Sequence, residues 1–127
     1  MKILGFYQEF WPEKAGTPAG STREFIRQNQ SADETDVAQY LRSGHELFVF
    51  MGEVGDILGS DERILGGDNI VTDGEWVWRA DLAFYLTHYH LALPEEFLRK
   101  ARENQYTVPD VGRDQLRQID EEVDLIL

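Results

Sequence analysis

Apolar residues recur along the chain with two periods, and these mark its elements. Ile3, Leu4, Phe6 and Tyr7 predict a first strand over residues 2–7. A loop rich in glycine and proline follows over residues 13–20. Ser21 and Glu24 form an S-x-x-E pattern ahead of Phe25 and Ile26, the signature of a short helix start. Ser31 and Glu34 repeat that pattern more fully, because Val37, Tyr40 and Leu41 follow at helical spacing. A helix is expected over about residues 32–43, ended by Gly44, with Asp33, Glu34 and Asp36 suiting its positive end.

Residues 46–51 (ELFVFM) are an apolar run of strand length, the pattern of a buried strand, which short buried helices share. Residues 52–67 then hold five glycines. They read as an acidic loop with local helix around Val54–Leu58. Residues 69–72 and 75–78 flank Asp73-Gly74, a link that tolerates the positive φ angles of a tight hairpin turn. Alternation places Trp76 and Trp78 on one face and Val77 on the other. Asp81 opens a helical stripe of Leu82, Tyr85, Leu86 and Tyr89. Pro94, Glu95 and Glu96 open a further helix with Phe97, Leu98 and Ala101 on its apolar side. A last helix carries Leu116, Ile119 and Val123, and Asp120, Glu121, Glu122 and Asp124 crowd its unfavourable C-terminal end. No internal repeat appears. The fold class expected is α+β, a small, mostly antiparallel sheet packed with four or five helices.

The 127 residues suit a single domain able to bury one core. At 42% hydrophobic and 12% aromatic, the composition is that of a folded chain. Cysteine is absent, which removes disulfides, thiolate zinc sites and a cysteine nucleophile together. The N-terminal apolar stretch is too short for a signal peptide, and no run of about 18 apolar residues offers a membrane span. A cytoplasmic location is the expectation. The formal net charge of −12 changes the picture most. Residues 31–96 hold fourteen acidic and three basic side chains, so the middle of the chain carries nearly all of the excess. Such a field repels nucleic acid and anionic membranes and speeds encounter with basic proteins. Plain solubility is the bland alternative.

The candidate chemistry is sparse. His88-x-His90 would need an extended backbone and a further ligand such as Glu95 or Glu96 to hold a metal. On a helix, the two histidines simply suit the C-terminal dipole. His45, Asp56 and a serine have no triad spacing, and no nucleophile elbow is present. The glycine-rich segment matches neither phosphate-binding pattern, and its acids lack the calcium-loop spacing. No cofactor, metal or catalytic residue is expected. Trp76 and Trp78 read as core residues before interface anchors.

The stretch TDGEWVWRADLAFYLTHYHLALPEEFL, together with KILGFYQEFWP and YLRSG, resembles a family of small actinobacterial proteins of unassigned role. The shared features are structural: a hairpin, a tryptophan pair and two helices joined at Leu93-Pro94. By size, charge and lack of catalytic motifs the chain also resembles the immunity proteins of bacterial toxin systems. That resemblance implies an inhibitor that covers the basic active-site region of a toxin, for example a nuclease. Asp33, Glu34, Asp36, Asp56, Asp61, Glu62 and Asp68 are the expected contact residues for that basic partner. The alternatives are a regulatory or structural module, homodimeric through the tryptophan hairpin, and an enzyme using His88 or His90 with nearby carboxylates.

Overall fold

The computed structural model describes all 127 residues and is α+β. A four-stranded sheet in the order β1-β6-β5-β2 contains β1 (Lys2–Ile3), β2 (His45–Phe48), β5 (Ile70–Thr72) and β6 (Trp76–Arg79). A separate antiparallel pair is made by β3 (Glu53–Gly55) and β4 (Arg63–Leu65). Four α-helices complete the chain: α1 (Glu34–Arg42), α2 (Leu82–Tyr89), α3 (Glu95–Glu103) and α4 (Arg113–Ile126).

The alternation of β6 divides the molecule into layers. Trp76 and Trp78 face a core formed with α1, α2 and α3, through Val37, Tyr40, Leu41, Leu82, Tyr85, Leu86, Phe97 and Ala101. Val77 points the other way, into a second cluster with Ile70, Trp11 and the Ile119 and Val123 side of α4. Both of these tryptophans are buried, so their rings serve the core. Phe97 is the hub of the first core. Its ring stands edge-on to Tyr40, Trp76 and Trp78, with centroids 5.7, 5.7 and 5.8 Å away. Such pairs add about 1 kcal/mol each beyond the area they bury.

The first strand is shorter than its apolar pattern predicts and runs parallel to β6, Lys2 opposite Trp76. Gly5 ends it with φ +68°, where a side chain would be strained. The rest of the apolar run turns away, and Tyr7 bridges to Gly20 instead. The two capping boxes also exchange importance. Ser21 and Glu24 form theirs, at a 3-10 turn over Thr22–Phe25. Ser31 and Glu34 do not, because α1 starts later, at the Asp33 cap, and the Glu34 carboxylate is committed to His90. The local helix expected near Val54–Leu58 is replaced by the β3–β4 hairpin, in which Glu53 pairs across to Leu65 and Val54 to Ile64. Alternation turns Val54 and Ile64 inward and leaves Leu65 outside.

The β5–β6 turn is displaced by one residue from Asp73-Gly74. Thr72 lies opposite Val77 and Asp73 donates its amide to Trp76, so Gly74 and Glu75 form the tip. Only Gly74 takes a positive φ, +101°. Asp73 instead lies inside. Its Oδ1 accepts the amides of Glu75 and Trp76 at 3.0 and 2.8 Å, and its Oδ2 accepts the Tyr40 hydroxyl at 2.7 Å. Lys100 of α3 lies 3.5 Å from the same carboxylate. Replacing Asp73 by Ala removes four partners from a buried site. The loss of folding stability should be about 3 kcal/mol or more, read as a shift in urea midpoint. A loss below about 1 kcal/mol would show that the turn closes without it.

Candidate functional site: an apolar edge among free acids

The expected acidic surface is mostly spent on holding the fold. Asp33 joins α1 to the end of α3, accepting from Arg102 Nε at 2.9 Å and from the Tyr106 hydroxyl at 2.7 Å. The Arg102 hydrogen bond holds its carboxyl below the usual range, against the opposing effect of burial. Glu34 is buried with its Oε2 2.8 Å from His90 Nδ1. Asp56 is also buried. It accepts the Leu58 amide at 2.8 Å, the Ser60 hydroxyl and the Tyr89 hydroxyl. Burial raises its pKa, and these hydrogen bonds outweigh burial, so the net direction is down. Asp68 is half-buried. Asp36, Asp61 and Glu62 are the three of the seven expected contacts that stand exposed and make no ion pair within the chain.

The histidines do not converge. His45 Nε2 lies 2.9 Å from the Pro109 carbonyl, and the His88 ring stacks on Phe84 with centroids 4.0 Å apart. His90 ends α2 in the left-handed region at φ 54°. No group of three or more histidines and carboxylates is arranged to hold a metal ion. A carboxylate-oriented imidazole is the base of a nucleophile–base pair and needs a hydroxyl within hydrogen-bond reach to complete it. No hydroxyl hydrogen-bonds to the His90 ring, so the Glu34–His90 pair reads here as a tie between α1 and the end of α2.

What sequence reading placed inside, the structure places outside. The apolar run after Gly44 begins as β2 at the open edge of the sheet, paired only with β5. A bulge between Glu46 and Phe48 lets Leu47 and Phe48, although adjacent, both pack toward the α4 layer. Past Phe48 the run leaves the core. Val49 is 58%, Phe50 43% and Met51 100% exposed, and Leu65 of β4, 85% exposed, stands beside them. Val49, Phe50, Met51 and Leu65 line a groove of about 410 Å³. Phe50 stacks on Phe48 at 12° between planes, and its amide donates to Asn69 Oδ1 at 2.8 Å, which holds one wall in place.

The chain segment that supplies this groove is acidic. Residues 44–69 hold six carboxylates and one arginine, and that arginine, Arg63, pairs with Glu53. Glu46, Asp61 and Glu62 remain exposed and free of ion pairs. The hairpin beside the groove is anchored to α2. The Ile57 amide donates to the Tyr85 hydroxyl at 3.1 Å, and Asp56 takes the Tyr89 hydroxyl. Exposure of the 49–51 run was not legible in the sequence, because a run at a sheet edge and one at its centre look alike.

The geometry thus defines an acidic α+β protein with an apolar groove at an open sheet edge. Comparison with known proteins finds no matching family, no matching curated sequence and no matching solved structure.

Beneath the hairpin, Arg79 forks onto the buried Asp81, with Nη2 2.8 Å and Nε 3.2 Å from its oxygens. Burial pushes the Asp81 pKa up from 3.8 to about 6, Arg79 opposes this, and nearby Asp68 adds to it. The folded form therefore holds this proton more tightly than the unfolded chain does. Protonation stabilises the fold, so this contribution declines as pH rises from about 4 to about 6, by roughly 3 kcal/mol at most. Urea titrations across that window should show wild type losing stability relative to Asp81→Asn. Parallel curves would show that the shift is absent.

Proposed function

We propose that this chain is a small acidic binding protein that occludes a basic protein partner, in the manner of an immunity protein covering a toxin domain. The single observation that carries the reading is the exposure of Val49, Phe50, Met51 and Leu65 around one groove, in a chain segment whose Glu46, Asp61 and Glu62 make no ion pair within the molecule. An exposed apolar group of this kind is a recognised mark of an interaction site. Its chemistry divides the work of binding. The apolar side chains supply the anchors that carry affinity, and Glu46, Asp61 and Glu62 steer a positive surface into place and select it. The fold-holding acids Asp33, Glu34 and Asp56 contribute only to the long-range field.

The test is to capture the partner from the source cell, identify it by mass spectrometry and measure its association kinetics. The association rate should fall by roughly tenfold or more as salt rises from about 0.01 M to about 1 M. The double variant Met51→Asp, Leu65→Asp should weaken binding by about thirtyfold or more. Its unfolding midpoint should stay close to wild type, because both side chains are exposed. A rate indifferent to salt, with affinity that survives the double variant, would sink the proposal.

A further inference from the structure

We infer that the partner engages this protein by strand addition, laying an extended basic segment along the outer edge of β2 and its continuation through Met51. The inference rests on the binding reading above and specifies its geometry. β2 has the sheet on one side only, and no backbone hydrogen bond joins it to anything but β5. The chain beyond it keeps one hand on the sheet. Phe50 donates inward to Asn69, while the backbone N–H and C=O groups of Val49 and Met51, on either side of it, engage nothing in the chain. β2 itself ends at Phe48 and the chain bends at Met51, so the free groups of Val49 and Met51 carry the donors and acceptors of the open edge past the end of the strand. Natural sheets cover or charge such an edge. Here the side chains at the free positions are a valine and a methionine, and the segment that carries them, residues 44–69, holds six carboxylates against one arginine.

Charge decides the occupant. A second copy of the chain would bring another −12 against this edge. A segment with lysine or arginine alternating with apolar residues meets both features at once. Its backbone pairs with Val49 and Met51, its apolar side chains enter the groove beside Leu65, and its cations reach the free carboxylates.

A synthetic nonapeptide alternating lysine and valine serves as the probe. Binding should be saturable, and hydrogen exchange should slow at the Val49 and Met51 amides. Val49→Pro removes a donor that makes no bond within the chain, so it should weaken the peptide about tenfold beyond Val49→Ala, the reference that gives up the side-chain contact and keeps the donor. The peptide N-methylated at alternate residues should show the same loss against wild type, which keeps the test valid if the proline variant unfolds. Salt-sensitive binding that ignores both Val49→Pro and N-methylation would overturn strand addition while leaving the basic-partner reading standing. No binding of either peptide would count against both. Concentration-dependent dimers abolished by Val49→Pro would show that a second copy takes the edge, and would overturn the inference.

Discussion

The buried Asp73 carboxylate is the constraint on which the architecture turns. It closes the β5–β6 hairpin through two backbone amides, holds α1 through the Tyr40 hydroxyl and draws Lys100 of α3 toward the same point. A charge with its side chain wholly out of water is tolerated only when its oxygens are satisfied. Meeting that demand sets the register of β6 against β5. The register in turn fixes which side of the sheet receives Trp76 and Trp78. The aromatic hub around Phe97 and the opposite packing of Val77 on α4 are consequences of one hairpin being closed from within.

The same economy explains why a chain with net charge −12 folds compactly. Much of its acid is turned inward or tied down. Asp33, Glu34, Asp56 and Asp81 each meet a specific donor, and each links elements distant in sequence or braces a hairpin. Even the acidic end of α4 is partly neutralised, since Glu122 lies 3.6 Å from the N-terminal ammonium. The carboxylates left free are then informative in a way the total is not. Three of them, Glu46, Asp61 and Glu62, belong to the same chain segment as the exposed apolar groove, and the proposed binding reading rests on that pairing of free charge with apolar surface.

An open edge continued by Val49, Phe50 and Met51 is an aggregation hazard unless something occupies it or charge protects it. On the proposed reading, the net charge of −12 repels like-charged copies of the same chain and leaves the edge to a positive partner. Specificity of this kind comes from repulsion as much as attraction. It also gives the β3–β4 hairpin a purpose, since β4 supplies Leu65 to the groove and the hairpin is held in place through α2.

The sequence by itself determined what depends on local spacing. The α+β class, the bodies of all four helices and the split of Trp76 and Trp78 from Val77 all follow from periods of 3.6 and 2. Tertiary structure decided what depends on competition between distant groups. His90 drew Glu34 from its capping box, Asp73 moved the hairpin tip by one residue, and Gly5 ended a strand that its apolar run would have continued. It also decided that the run from Val49 to Met51 lies outside, because a strand's place in the sheet order is settled by its neighbours and leaves no trace in its own residues.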